Sequence, residues 1–215
     1  MIGIAERLGD SGDQWRTLMQ LVMGALRVAC PGIVQSFDPV EQTVKVQLAL
    51  RENVNKVVAY NGNTPVIVRT PTDVPLLIHV PLVLPRAGNY AVTLPVQKDD
   101  ECLVIFGDMC IDAWWKSGGV QNQVEMRRHD LSDGFALLAP WSQPRVLPNY
   151  STDSLQLRTT DGEVMVEVRG NEVRVKAPII YTEGDVLNSN GASGTFTTQT
   201  GQVVTVQGGV ITQIE

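Results

Sequence analysis

The sequence has few of the residues on which most catalytic and metal sites are built. Of its 215 residues, two are histidine and three are cysteine, and aromatic residues make up 6%. The cysteines Cys30, Cys102 and Cys110 form no CxxC pair, and their odd number does not suggest a disulfide framework. We expect buried thiols in a protein made in a reducing cytosol, and we predict no cofactor and no metal site.

Positive charge and long apolar runs are also scarce. Lys and Arg number 17 against 23 Asp and Glu, for a net charge of −6. A nucleic-acid-binding domain normally carries a basic stripe, so no nucleic-acid partner is expected. The apolar stretches are too short for a membrane span, and the start "MIGIAERLGD" lacks the pattern of a signal peptide. We therefore expect a chain that is soluble when it is made.

Residues 1–29 are predicted to form an N-terminal helix. Leu18, Leu21, Val22 and Leu26 recur at three- and four-residue spacing, and Pro31-Gly32 would end the helix. A lone amphipathic helix must dock on its own domain, on a sister subunit or on a larger assembly. Its polar face is not rich in Lys or Arg, which argues against a membrane-surface helix.

Residues 30–146 have the pattern of a small β-barrel. "TVKVQLAL" alternates apolar and polar residues, "CLVIF" is an apolar run that follows the acidic turn "QKDDE", and prolines separate the other short runs. Five or more short strands without a βαβ rhythm favour a closed barrel such as an OB-fold.

The segment "RRHDLSDG", which begins at Arg127, could be a catalytic or ligand-binding cluster. It contains one histidine, and no Ser or Cys nearby sits in a recognisable nucleophile motif. We expect a structural loop in which Asp130, Ser132 and Asp133 cap local backbone and the arginines pair with carboxylates. His129 is then expected to bond to Asp130 or Asp133, and no enzymatic activity is predicted.

Trp114 and Trp115 could form a stacking platform for a base or a sugar. We expect them on a strand, where adjacent side chains point to opposite faces, so one ligand would meet only one of the two rings. Core packing or a contact between subunits is the role expected for this pair.

Residues 147–215 are predicted to form a needle from repeated short strands. Valines alternate with polar residues and turns interrupt at short intervals, so each strand group has one narrow apolar face and exposed edges. Such a group cannot bury its face alone, whereas three copies can wind their faces around a common axis. We therefore predict a homotrimer. Its predicted core consists of Val164, Val166, Val168, Val173, Val175, Val204 and Val206.

This combination resembles the central spike, or baseplate assembly V-like, proteins of contractile-tailed bacteriophages. The matching stretches are "ACPGIVQSFDPVEQTVKVQLAL", "GDMCIDAWWKSGG", "RRHDLSDGFALLAPW" and "GASGTFTTQTGQVVTVQGGVITQIE". The resemblance implies a mainly β fold: an N-terminal helix, an OB-fold barrel and an intertwined triple-stranded β-helix made by a homotrimer.

The resemblance also implies function and location. The trimer would sit at the tip of the tail baseplate in the virion, after assembly in the host cytoplasm. A baseplate hub or tail tube protein would bind its N-terminal side, and its C-terminal tip would pierce the host outer membrane by force. Some such spikes bind iron through a His-x-His pair near the tip. Here the histidines are His79 and His129, neither of them in the tail, so that site is not expected.

Two other functions fit parts of the pattern. A trimeric receptor-binding fibre or adhesin would share the β tail, but would usually add an aromatic-rich head after it. A glycoside hydrolase needs two placed carboxylates in a cleft. The tail acids Asp153, Asp161, Glu163 and Glu167 are expected in turns or on outward strand faces, which does not suit such a cleft.

Overall fold

The computed structural model describes residues 11–138, 140–184, 186 and 190–215. Residues 1–10 of the predicted N-terminal helix lie outside the described residues. The chain divides into two compact units, Met1–Val146 and Leu147–Glu215.

The helices are α1 (Ser11–Ala25) and α2 (Asp112–Ser117). The strands are, in chain order, β1 (Ala29–Asp38), β2 (Thr43–Leu48), β3 (Glu52–Asn61), β4 (Thr64–Thr72), β5 (Leu77–Val83), β6 (Arg86–Ala87), β7 (Tyr90–Ala91), β8 (Glu101–Phe106), β9 (Gly134–Leu137), β10 (Leu155–Arg158), β11 (Met165–Val168), β12 (Val173–Lys176), β13 (Gly194–Thr197), β14 (Val203–Gln207) and β15 (Val210–Ile214).

The first unit is built around a closed five-stranded barrel in the order β1-β2-β5-β9-β8. Buried and less buried side chains alternate along β8 and β9 and in the middle of β1, as the period of a strand requires. This confirms the predicted mainly β fold with an N-terminal helix and a small closed barrel. The buried core consists of Val34, Val44, Val46, Leu48, Val74, Leu77, Val80, Cys102, Val104, Phe106 and Ala136.

The N-terminal helix ends before the predicted residue 29, and Pro31 and Gly32 belong to a strand. Helix α1 ends at Ala25, and β1 already pairs with β8 at Ala29. The Pro31 carbonyl accepts a hydrogen bond from the Ala49 amide at 2.8 Å. A Cβ on Gly32 would lie 2.4 Å from a Val46 methyl group. The Pro-Gly pair therefore lets the backbone approach the barrel core and is not the helix stop.

The barrel has two distinct ends. At the α1 end, β1 begins at Ala29 and β2 finishes at Leu48. At the exit end, β1 finishes at Asp38 and β8 begins at Glu101. After β9 the chain reaches Ser142, whose amide donates to the Glu101 carboxylate at 2.6 Å. The chain therefore leaves the barrel at the exit end.

Strands β3 and β4 form a long hairpin at the α1 end. It is a separate two-stranded sheet, and its strands are the continuation of β2 and the lead into β5. An ion pair between Arg27 and Glu52 ties the hairpin base to the segment that follows α1. Helix α1 and the hairpin therefore project from the same end of the barrel.

The second unit contains two three-stranded antiparallel sheets, β10-β11-β12 and β13-β14-β15. The turns fall where Asp161-Gly162, Gly170-Asn171 and Gly208-Gly209 interrupt the valine pattern, as the sequence predicts. Among the described residues, neither helix has the length and apolar character that a transmembrane segment needs.

Candidate functional site

The sheet β10-β11-β12 has one face made entirely of aliphatic side chains. Strand pairing sets Leu155 against Val168 and Leu157 against Val166 on one side of β11. On its other side, Val168 pairs with Val173 and Val166 with Val175. All six side chains are exposed in the single chain, from 39% for Val166 to 67% for Val173. We call these six residues the open apolar face.

The opposite face of the same sheet is polar and holds a buried carboxylate. Glu167 is 2% exposed, and its Oε1 accepts hydrogen bonds from Ser154 Oγ at 2.7 Å, Gln156 Nε2 at 2.8 Å and Arg169 Nη2 at 3.2 Å. These contacts lower the pKa of Glu167 from an ordinary value of 4.5 to about 2, with the Ser154 bond making the largest contribution. The prediction that Glu167 lies on an outward, exposed face was wrong. Ser154, in the loop before β10, bonds to its carboxylate, and the side chain is buried.

The chain's own loop covers part of this polar face. Arg158 lies on it and donates to the carbonyl of Pro148 at 2.6 Å and to that of Asn149 at 2.9 Å. The sheet's own chain therefore covers the β10 and β11 part of the polar face, while Arg174 and Lys176 of β12 stay exposed. The aliphatic face is exposed on all three strands, the reverse of a sheet on the surface of a soluble monomer.

We expect Glu167→Gln to remove a pH-dependent part of the stability of this sheet. The pKa of Glu167 is lower in the folded chain than in the unfolded chain, so its carboxylate stabilises the fold above about pH 4.5. That stabilisation is lost as the pH falls towards 2. The thermal unfolding midpoint of the natural chain should therefore fall more steeply between pH 5 and pH 2.5 than that of Glu167→Gln.

Glu163→Gln is the matched control for this prediction. Glu163 is 72% exposed and lies 3.5 Å from Lys176, so removing its charge should leave the slope nearly unchanged. Parallel pH profiles for the natural chain and Glu167→Gln would contradict the prediction.

The predicted trimer-core residues fall into two groups. Val166, Val168, Val173 and Val175 share the open apolar face, and Val164 immediately precedes β11 and is also exposed. Leu155 and Leu157 are not among the predicted core residues. Their alternation in "LQLR" marks them as facing one side, but the cross-strand register was needed to show which side.

The second group lies in the sheet β13-β14-β15. Val204 pairs with Phe196 and Ile214 and is 4% exposed within one chain, whereas the adjacent Val203 is 39% exposed. Val206 is half-buried. The alternation of facing at Val203 and Val204 is therefore the one that the sequence predicts.

Arg127 is the centre of an ion-pair network beside the barrel. Its Nε donates to Asp133 Oδ2 at 2.8 Å, and its Nη atoms reach Asp112 at 2.7 Å and Glu125 at 2.5 Å. Asp133 is fully buried and also accepts a bond from the Ile111 amide at 2.9 Å. These carboxylates raise the pKa of Arg127 above its already high value, and Arg127 lowers the pKa of Asp112. The predicted pairing of arginines with carboxylates is confirmed.

Cys110, Asp112 and Asp133 bring three potential metal ligands within 4.8 Å of one another. Both oxygens of Asp133 already accept hydrogen bonds, and the Arg127 guanidinium supplies the positive charge that a metal ion would supply. The residues therefore suit an ion-pair network better than a metal centre.

His129 does not bond as predicted. Its Nε2 lies 3.4 Å from Asp108 Oδ1, and its Nδ1 is buried without a hydrogen-bond partner among the described residues. Asp130 instead caps the following turn by accepting from the Ser132 amide at 2.9 Å. The loop folds back on Gly107, whose carbonyl accepts from the His129 amide, and this brings Asp108 to the imidazole.

The predicted placement of the two tryptophans on a strand was also wrong, whereas the role expected for them is not contradicted. Trp114 and Trp115 lie on helix α2, where adjacent residues point about 100° apart, and both line one groove of about 870 Å³ on the barrel. Trp114 also packs edge-to-face on Phe135, with ring centroids 5.8 Å apart. One surface can therefore meet both rings.

The three cysteines are free thiols, as expected. Cys102 and Cys110 are buried and Cys30 is half-buried. Burial raises the pKa of Cys102 to about 11, which keeps the thiol protonated and unreactive.

Comparison with known proteins finds a family match for the residues that form the barrel. Residues 30–139, about half of the chain, match the family described as phage protein Gp138 N-terminal domain. A comparison with curated protein sequences finds no match. The matched residues include the strands of the barrel and the Arg127 network. They also confirm the phage origin that the resemblance implied, and the chain therefore belongs to the family of phage proteins that carry the Gp138 N-terminal domain.

Proposed function

We propose that this phage protein is a structural component of the tail baseplate tip that works as a homotrimeric spike. In this proposal residues 147–215 of three copies form an intertwined triple-stranded β-helix needle. Sheath contraction drives the needle through the host outer membrane, and a baseplate hub or tail tube protein holds the N-terminal side. The work is mechanical, without enzymatic turnover.

The observation that carries the proposal is the open apolar face. Six aliphatic side chains form one exposed face of β10-β11-β12, while a loop of the same chain covers the β10 and β11 part of the polar face. Complete burial of a fully exposed side chain of this kind contributes roughly 1.5–3 kcal/mol, and these six are 39–67% exposed, so each would contribute a fraction of that value. The exposed face therefore favours a partner with a matching face, and another copy of the chain supplies an identical one.

The ion pairs of the barrel suit a protein that transmits force. Arg127 makes contacts with Asp112, Glu125 and Asp133 at the same time, and Arg128 pairs with Asp108 at 2.9 Å. The network links distant parts of the segment between β8 and β9 to one another. Charged groups that are engaged in this way are poorly placed to exchange protons with a substrate.

Light scattering of the purified chain tests the proposal. We expect a solution mass three times the 23.5 kDa of one chain. A chain that ends at Val146 should lose this association, because the open apolar face lies beyond that residue. Antibodies against the chain should label the tail tip of virions.

A monomeric full-length chain would contradict the proposal. Label on fibres at the side of the baseplate would favour the receptor-binding fibre. Release of sugars or peptides from cell-wall preparations by the purified chain would place it among the enzymes.

A further inference from the structure

The hairpin β3–β4 receives little support from the rest of the barrel unit. Apart from the half-buried Glu52, Thr70 and Thr72 at its base, every residue of the hairpin is exposed. An isolated two-stranded hairpin is marginally stable in water, and its strand edges are open to pairing. A hairpin of this length that projects from a barrel is therefore suited to contact a partner.

One face of this hairpin is more exposed than the other, on which Val54, Val66 and Val68 are 40%, 42% and 45% exposed. Beyond the bulge at Val58, strand pairing places Tyr60 opposite Pro65, and before the bulge it places Val57 opposite Ile67. Val57 and Ile67 are 50% and 55% exposed, and Tyr60 is 71% exposed. We call Val57, Tyr60, Pro65 and Ile67, with Arg69 beside them, the hairpin docking face.

The position of the hairpin indicates at which end of the barrel a partner would bind. The hairpin and α1 leave the α1 end of the barrel, and the chain continues towards residue 147 from the exit end. Helix α1 is likewise exposed along its apolar residues, including Trp15, Leu18 and Leu21. The two unpartnered apolar elements therefore lie together on the side of the barrel away from its exit end.

We propose that the hairpin docking face, together with α1, is the surface that holds this protein on the baseplate hub or tail tube. The partner that fits it presents an apolar surface with an acidic rim. Arg69 lies on the docking face and has no ion-pair or hydrogen-bond partner among the described residues, although the chain as a whole carries a net charge of −6. A carboxylate on the partner would complement it.

The area of these elements explains why docking needs three copies. The hairpin is about 33 Å long and about 10 Å wide, and α1 is about 22 Å long, so one copy offers roughly 550 Å². A stable interface takes about 800 Å² from each partner. One copy falls short of that area, whereas a trimer offers about 1,600 Å² to a ring of subunits. The inference therefore rests on the proposed trimer.

Incorporation into particles tests the proposal. Phage that carries a nonsense mutation in the gene would be grown in cells that supply the full-length chain or a variant, and the chain would be quantified in purified particles. Val57→Lys with Ile67→Glu keeps a favourable cross-strand pair but removes the apolar contact. We expect this variant to form trimers of normal mass and to be depleted at least tenfold from particles. Arg69→Glu should also lower incorporation.

Val54→Lys with Thr70→Glu is the matched control. It places the same charged pair on the opposite face of the hairpin, where Val54 faces Thr70, and should be incorporated at the natural level. Normal incorporation of the Val57 and Ile67 variant would overturn the docking face. Loss of the trimer in that variant would also overturn it, by showing a contact between copies.

Two further results separate this inference from its alternatives. Binding of the natural chain, but not of the Val57 and Ile67 variant, to vesicles of phosphatidylethanolamine and phosphatidylglycerol would overturn it in favour of a membrane contact. The mass of the natural chain is measured first. A monomer there refutes the proposed function, whereas a trimer with unaffected incorporation of the variant refutes the docking face alone.

Discussion

The substitution Val166→Asp is expected to leave each chain folded and to abolish its assembly. Val166 is 39% exposed in one chain, so a single chain tolerates the carboxylate. In the proposed trimer it would place three carboxylates in an apolar centre, at a cost of several kcal/mol for each group that is buried without a partner. Because about 1.4 kcal/mol is a tenfold change in affinity, assembly should weaken by at least about a thousandfold.

Val203→Asp is the control for this experiment. Val203 has the same residue type and the same 39% exposure as Val166, but it faces away from Val204. Light scattering and circular dichroism of the two variants separate assembly from folding. Equal loss of the trimer in both variants would show that the open apolar face is not the specific contact.

Val204→Asp is a less informative test of assembly than Val166→Asp. Val204 is already 4% exposed within one chain, between Phe196 and Ile214. A carboxylate there would disrupt the fold of its own sheet as well as any assembly, so a loss of trimer would have two causes.

The substitution Arg127→Met is expected to destabilise the barrel strongly. It leaves the Asp133 carboxylate fully buried with only the Ile111 amide and without a cation. Removing one partner of a buried ion pair costs about 3–5 kcal/mol. For a chain of this size that corresponds to a fall of roughly 6–20 °C in the thermal unfolding midpoint.

Two further variants show whether the cost comes from Asp133. Arg128→Met removes the neighbouring arginine, whose partner Asp108 is 64% exposed, and should cost less than about 1 kcal/mol. Arg127→Met combined with Asp133→Asn should recover part of the lost stability, because the amide keeps the acceptor for Ile111 without a buried charge. Equal effects of Arg127→Met and Arg128→Met would contradict the role of the network.

Local sequence patterns were sufficient to predict the strand faces and the turns of residues 147–215. The alternation of valines predicted which side of β11, β12 and β14 is apolar, since successive side chains of a strand point to opposite faces. The glycine-containing turns ended these strands where expected. The pairing of Arg127 and Arg128 with carboxylates was correctly predicted, because charge-assisted hydrogen bonds between these groups are strong. Their partners Asp112 and Asp108 lie 15 and 20 residues away and could not be identified from the sequence.

The errors arose where long-range packing overrides the local pattern. Pro31-Gly32 resembles a helix stop, but the close approach of Gly32 to Val46 requires a residue without Cβ in a strand. The two tryptophans resemble strand residues, yet they lie on a helix that packs on Phe135. Neither partner is a neighbour in sequence, so no local signal identifies it.

The sequence by itself determined a β protein with repeated one-faced strands and a charged structural loop. The tertiary structure alone decided that Glu167 is buried and bonded to Ser154, that Leu155 and Leu157 complete the open apolar face, and that α1 and the hairpin share one end of the barrel. The physical reason is that a period-two pattern fixes which side chains share a face of one strand. Which strands pair, in which register, and what covers each face depend on contacts between residues far apart in the chain.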